Sequence, residues 1–462
     1  MQYLAGTGQA AFLINGVEDP EEIKVDSFGE LQHRLLWSNI NKINWTNYPA
    51  IPTMARLHAP EIPMDFQPNA QILEITRRMR EIVDNDILPI EHRFLTEGFH
   101  PVFDDLQAVR KKIKAAGLWA PNHPREYGGM GLDLVDHGLV SEVLGRTPLG
   151  HYSFGCNAPD AGNIETLHLF ANPQQKAEWL PRIVGGERSA FVMTERDNSG
   201  ANPIFLQTTA VREGDEWVLN GTKWFITAVE GAVLCLVMVT TNPKAGGHGR
   251  QSIILVPTNT PGFKIDKTTP IMGHAGGGPF GHCEVSFDNC RVPYDNLLGK
   301  EGEGFLMAQA RLGPGRIHHC MRWLGICNRS LELMTQRAAT RVIGEGDRRL
   351  ADSDIIKTWI AECAAEIRAA RLMTLFTAWR IEQVGAKEAR NDISMIKYHV
   401  AEVLMKVIDR AIQVHGALGI TEYTPLSFFY REDRGSRIYD GPDEVHKLTV
   451  ARRIIERGGR VD

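Results

Sequence analysis

The apolar residues of this chain change period twice, and that change limits its possible folds more than any other feature. From about residue 66 to 187 they recur three and four apart, as at Ile72, Ile75, Met79, Ile82 and Val83, and again at Leu106, Val109, Ile113 and Leu118. That is the stripe of amphipathic helices. From about 188 to 300 they gather into short strand-like runs, Val233–Val239, Ser252–Val256 and Cys283–Phe287. From 301 to 462 helical spacing returns over long spans, 301–342, 352–384, 389–416 and 441–457, with Asp352-Ser353 as an N-cap for the second. Such lengths predict a four-helix bundle. The expectation is an α+β chain: an extension over 1–65, an N-terminal helical domain over 66–187, a middle antiparallel, barrel-like β-domain over 188–300, and a C-terminal four-helix bundle over 301–462.

Local signals add detail. Residues 1–65 carry prolines at 49, 52, 60 and 63 and predict an irregular segment with one short helix around Phe28–Ser38. Glu216–Thr227 reads as a hairpin turning at Asn220-Gly221. Gly276, Gly278 and Gly281 fit GxGxxG, but Pro279 interrupts and no helix follows, so the loop predicts a connection and not a dinucleotide fingerprint.

Composition excludes several functions. The net charge is −5 with acids and bases interspersed, which argues against nucleic acid. No run of about 18 apolar residues exists to span a bilayer. The first residues lack the basic stretch of a secretory signal. The seven cysteines are odd in number and form no CxxC, which suits free thiols in a reducing compartment. A cytoplasmic location is expected.

Four segments carry candidate chemistry. In Ile438-Tyr439-Asp440-Gly441-Pro442 a short acid stands between an aromatic and a glycine where one helix stops and the next begins. A carboxylate base can hang into a cavity there. Leu312-Gly313-Pro314-Gly315-Arg316 reads as the opening of a helix, with Arg316 able to bind an anion or steady a carboxylate. The next residues, His318-His319-Cys320, point about 100° apart in turn and cannot chelate together, so they are read as packing residues and no metal is expected. Phe191–Gly200 offers an apolar wall, an exposed Thr194-Glu195 pair and a turn, which suit a flavin ring. Lys223–Thr227, taken alone, is a plain apolar strand.

Together with Ala411–Gly419, these segments resemble the acyl-CoA dehydrogenase family over about residues 66–462. The strings Gly-Pro-Gly-Arg-Ile-His-His-Cys and Asp-Gly-Pro-Asp-Glu-Val-His look like the subgroup of human members ten and eleven, some of which carry a kinase-like domain with no counterpart in these 462 residues. The resemblance implies FAD as cofactor. It puts the flavin against Phe191, Met193 and Thr194, with Phe225 packing on it and Thr227 bonding its ring. It gives Pro442 and Glu444 cofactor contacts, and assigns Arg341, Gln413 and Gly416 to the FAD of a neighbouring subunit. Asp440 takes the place of the base, usually Glu in the family, with its N–H toward the thioester carbonyl. Ser199, Arg316, Tyr439 and Gly441 fall on the substrate side. Two positions depart from the pattern: Arg196 replaces a proline and Ala417 a glycine.

The resemblance also implies a reaction: α-proton removal by Asp440 and β-hydride transfer to FAD, turning an acyl-CoA into a 2-enoyl-CoA. Electron-transferring flavoprotein is the expected acceptor, and a homodimer or homotetramer the expected assembly. Desolvation is expected to raise the Asp440 pKa. Two alternatives stay open: a flavin oxidase of the same fold, since nitroalkane oxidases use an Asp base, and a non-enzymatic DNA-binding flavoprotein, against which the acidic charge argues.

Overall fold

The computed structural model describes residues 68–461; the helix expected around Phe28–Ser38 lies outside the described residues. Seven helices come first: α1 (Ala70–Ile82), α2 (Leu88–Glu97), α3 (Phe103–Ala115), α4 (Leu134–Leu144), α5 (Gly150–Ser153), α6 (Asp160–Phe170) and α7 (Pro173–Val184). Their starts owe much to polar side chains. Asn69 accepts from the Ile72 N–H, and Asn172 and Gln175 form a capping box ahead of α7 with Pro173 at its first position.

Eight strands come next: β1 (Arg188–Val192), β2 (Thr209–Glu213), β3 (Glu216–Thr227), β4 (Ala232–Thr240), β5 (Gln251–Pro257), β6 (Phe263–Thr268), β7 (His282–Pro293) and β8 (Leu297–Leu298). They form one sheet in the order β6-β7-β3-β2-β4-β5-β8, with β1 joined to β4. This corrects the antiparallel, barrel-like expectation. The sheet is open and mixed, because the β2–β3 hairpin between β1 and β4 returns the chain to run parallel to β1.

The expected hairpin turn is also displaced. Glu213 pairs with Glu216, so the chain reverses at Gly214-Asp215, with Gly214 at φ 63°. Asn220-Gly221 lies inside β3, at a bulge against β7 where the Asn220 Oδ1 accepts from the Asn289 N–H at 2.8 Å. A bulge needs glycine for the same reason a tight turn does. Gly221 has φ 139°, and a Cβ there would fall 2.8 Å from the Thr208 Cα.

The last third holds α8 (Gly304–Thr340), α9 (Asp354–Val384), α10 (Arg390–His415), the short α11 (Leu426–Asp433) and α12 (Asp443–Glu456). The four long spans match the periodicity. The helix start expected at Gly313–Arg316 does not exist: Pro314 lies within the continuous α8. Pro314 removes one i→i−4 bond but does not end the helix, whose two flanks are both packed.

Burial explains why sheet and helices share one body. Along β4, Leu234, Leu236 and Met238 join the cluster formed with the helices, while Cys235, Val237 and Val239 join the cluster on the far face of the sheet. β1 alternates likewise. Ala190 and Val192 face the sheet core, and Phe191 and Met193 pack toward the helices. Two expected flavin contacts are thereby delivered to the seam between sheet and bundle.

Candidate active site

Asp440 sits between the α11 turn and α12 in a left-handed conformation, φ 54°, which costs a non-glycine residue free energy and persists only when surroundings enforce it. They do. Its carbonyl accepts from the Arg316 Nε at 2.9 Å and bonds the His446 Nε2 at 3.1 Å. The next carbonyl, that of Gly441, accepts from the Lys397 Nζ at 2.7 Å. Gly441 has φ 101°, and a Cβ there would lie 2.8 Å from the His446 ring nitrogen. Asp443, at the first turn of α12, holds Arg437 at 2.6 Å and Lys397 at 3.6 Å.

The Asp440 carboxylate, with 17% of its side chain exposed, lies 3.3 Å from the His319 Nε2. Burial alone would raise its pKa. The His319 hydrogen bond and the charges of His319, Arg311 and Arg316 outweigh that and hold it at about 2. The expected upward shift is thus reversed, because the helix α8 turns three cationic or donor groups toward this one acid. A carboxylate can only accept, so in this contact the His319 Nε2 is the donor.

The sequence assigns His319 to packing. It does pack, stacked on Trp323 at 5.7 Å and tilted against Tyr439 at 4.9 Å, but it also holds the acid. The 100° step that forbids joint chelation sends its neighbour elsewhere: the His318 ring meets His137 at 5.0 Å. Tyr439 is anchored by Arg322, 3.2 Å from its hydroxyl, and Arg322 in turn by Asp433 at 2.9 Å.

Arg311, which no sequence motif singles out, lies 4.2 Å over the Phe191 ring and donates to the Asn163 Oδ1 at 3.1 Å. It faces both Asp440 and Glu165. Burial raises Glu165 to about 7 despite Arg311. No periodicity marks these two; a buried charge on an otherwise apolar helix face was the available signal.

Across the seam, β3 bulges between Lys223 and Ile226, and Phe225 leaves the strand at φ 56° with 41% of its surface exposed. Bulges of this kind re-aim a side chain. Thr194 and Trp224 tie β1 to this bulge reciprocally. The Thr194 Oγ1 donates to the Trp224 carbonyl at 2.7 Å, and the Trp224 N–H to the Thr194 carbonyl at 3.0 Å. The Thr227 hydroxyl shares a 3.0 Å hydrogen bond with the His282 Nδ1. The Thr-Glu pair is not exposed as expected. Glu195 is 6% exposed, paired with the fully buried Lys223 at 2.9 Å, and accepts from the Gln207 and Thr208 N–H groups. It is a structural clamp. Ser199 is exposed in the adjoining turn, and Arg196 reaches across to pair with Glu284.

A second group assembles elsewhere. Arg341, Gln413 and Gly416 line one cavity of about 320 Å³, joined by Arg337, which carries no sequence signal of its own. Nothing lies within 4 Å of the position a Gly416 Cβ would take, so a ligand can approach its backbone. Gln413 and Lys397 are sixteen residues apart on α10, so this cavity and the Asp440 hinge are about 24 Å apart along the helix axis. Pro442 caps α12 and Glu444 is exposed on its first turn. A larger cavity, about 680 Å³, among α1, α4, α8 and α9 contains none of the expected residues. No cluster of metal-ligating side chains occurs among the described residues.

The chain matches the family models for the acyl-CoA dehydrogenase N-terminal domain over residues 69–187, middle domain over 190–290 and C-terminal domain over 302–455. It is 40% identical over 404 residues to the "Probable acyl-CoA dehydrogenase FadE2" of Mycobacterium tuberculosis, covering 85% of this chain and 98% of that one. It is 37% identical over 351 residues to human "Acyl-CoA dehydrogenase family member 11", covering 75% of this chain; those residues are 44% of that longer protein. The butyryl-CoA dehydrogenase structure of Megasphaera elsdenii aligns with TM-score 0.75 at 26% identity, covering 85% of this chain and all of that one.

Proposed function

The chain belongs to the acyl-CoA dehydrogenase family, and from that premise we propose that it oxidises an acyl-CoA thioester to the 2-enoyl-CoA with FAD, using Asp440 as the base. One observation carries the reading: Asp440, on the α11–α12 hinge, presents a carboxyl group from a backbone pinned from three helices.

The residues fit FAD. Phe191 and Met193 give an apolar wall, Phe225 an exposed ring, and Thr194 and Thr227 hydroxyls with lone pairs to spare. Arg337, Arg341 and Gln413 give donors for phosphate or adenine. When bound, FAD supplies the acceptor for the β-hydride. The chain's own residues do the rest. Asp440 takes the α-proton, and the electron pair of that C–H bond becomes the new double bond as hydride leaves the β-carbon. Tyr439 walls the acyl side, and Arg316 keeps the base's carbonyl, and so its N–H, in place. By the family resemblance, Arg341, Gln413 and Gly416 would meet the FAD of a neighbouring subunit, which makes the working unit a homodimer or homotetramer. Electrons pass to an electron-transferring flavoprotein.

The test is an anaerobic flavin spectrum of the purified protein, titrated from butyryl-CoA to palmitoyl-CoA. Bleaching in the wild type, and its loss in a flavin-retaining Asp440→Asn variant, is expected. Equal bleaching in both would sink the base assignment. The Asp in place of Glu favours one second reading, a flavin oxidase. Fast reoxidation of reduced flavin by oxygen, with no bleaching by any acyl-CoA, would select it.

A further inference from the structure

Asp440 is held from both ends. Its main chain is fixed by Arg316, His446 and, through Gly441, Lys397, so only its two side-chain torsions remain. Its Oδ2 is then held by the His319 Nε2 at 3.3 Å, while Oδ1 has no hydrogen-bond partner among the described residues. His319 is itself braced by two rings. Trp323, fully buried, lies flat against it, and Tyr439 leans on it under the pull of Arg322 and Asp433. An isolated ion pair at a surface shows none of this support.

We propose that His319 is the positioning residue of the catalytic base: it ties down Oδ2 and leaves Oδ1 as the oxygen that receives the substrate's α-proton. This rests on Asp440 being the base. In the step, the Cα–H bond breaks, the proton goes to Oδ1, and its electron pair forms the double bond as the β-hydride departs. Asp440 becomes a neutral acid that still accepts at Oδ2, and His319 neither gains nor loses a proton. The arrangement compensates for a short side chain. Aspartate cannot lean toward its target as a longer acid can, so its orientation must be set by a neighbour. It also lowers the basicity of Asp440, since the imidazole N–H stabilises the carboxylate. The other charged or titratable groups facing Asp440 are Arg311, Arg316 and the Cys320 thiol on α8, Lys397 on α10, His446 on α12 and Tyr439 beside it. Removing His319 leaves all of them, so its own share is separable.

The experiment compares FAD-loaded wild type, His319→Leu, His319→Gln and His319→Asn, with Asp440→Asn as reference. Glutamine carries an amide N–H near the position of Nε2; asparagine is polar but too short to reach. The first readout is the rate of substrate-driven flavin bleaching against pH. Leu and Asn should slow it about ten- to hundredfold with little change in half-saturation, and should bring an acidic limb into the accessible range; Gln should recover most of the rate. The second readout needs no substrate: an infrared carboxylic-acid band, assigned by its loss in Asp440→Asn, should appear at higher pH in Leu than in wild type. Wild-type rate, pH profile and infrared titration in His319→Leu, with Asp440→Asn inactive, overturns the role of His319 alone. Wild-type bleaching in Asp440→Asn overturns the base assignment instead.

Discussion

Lys397 donates to the carbonyl of Gly441 across 2.7 Å with no part of its side chain exposed. Burial lowers its pKa, and Asp443 and Asp440 act against that. A buried ammonium facing two acids from the first third of α10 fixes the position of the hinge they stand on.

Replacing Lys397 with methionine keeps the volume and removes the donor. The Gly441 carbonyl then lacks its partner, and Asp443 keeps only Arg437. Thermal unfolding should show a loss of about 1–3 kcal/mol. Flavin reduction should slow by more than that loss of fold accounts for, because the base moves with the hinge. An unchanged bleaching rate in a destabilised Lys397→Met would separate the lysine from the chemistry.

The pair His319 and Asp440 should be coupled in size as well as charge. A glutamate at 440 would carry its carboxylate one methylene further, into the imidazole 3.3 Å from Oδ2 and toward Gly315, whose Cβ position is 3.6 Å from the same oxygen. Asp440→Glu alone should therefore be slow. Asp440→Glu with His319→Val, which opens that space, should be faster than the product of the single effects predicts. Additive rates in the double-mutant cycle would mean that the two side chains do not share the space.

The cavity of Arg337, Arg341 and Gln413 should be read by cofactor retention. Loss of one charge-assisted bond to a phosphate weakens binding by about 1.5–3 kcal/mol. Arg341→Gln and Arg337→Gln should release FAD about ten- to hundredfold more readily on dilution, monitored by flavin fluorescence, while reduction of the flavin that stays bound remains near wild type. Undiminished retention in both variants would remove this cavity from the cofactor site.

His137 gives a stability prediction of definite sign. It is 2% exposed, and burial, then His318, His151 and His123, push its pKa well below the ordinary imidazole range. The folded form stays neutral where the unfolded chain takes up a proton. Its contribution is therefore fully present above pH about 6.5 and is lost as pH falls toward the lower folded value. Other buried acids titrate in the same window, so the informative quantity is a difference. Below pH 6.5, His137→Leu should lose stability less steeply than wild type, by up to about 1.4 kcal/mol per pH unit. Parallel curves in denaturant titrations from pH 7.5 to 5 would show that His137 is not held neutral.

Local signals were legible in proportion to how local their causes were. The spans 352–384 and 389–416 emerged as Asp354–Val384 and Arg390–His415 because a long amphipathic stripe constrains every turn of a helix. Asn220-Gly221 misled because a left-handed glycine serves a bulge as well as a hairpin, and only the β7 partner strand decides between them. Pro314 misled because a proline ends an isolated helix but not one packed on both flanks. At the site, Asp440 stood out through its neighbours in sequence. Its downward pKa and its partner His319 could not be read there, since the pair is 121 residues apart and meets only through the packing of α8 on the hinge. Glu195 shows the reverse: a residue in the most recognisable motif proved to be a clamp for the 207–208 loop.

α10 carries Lys397 near one end and Gln413 near the other, and so acts as a gauge between the hinge and the cavity. A residue added between them would push the two apart by about 1.5 Å and turn one against the other by about 100°. Loops elsewhere in the chain can lengthen or shorten without such a penalty. The interval from 397 to 413 is a dimension of the enzyme that drift by single insertions cannot adjust.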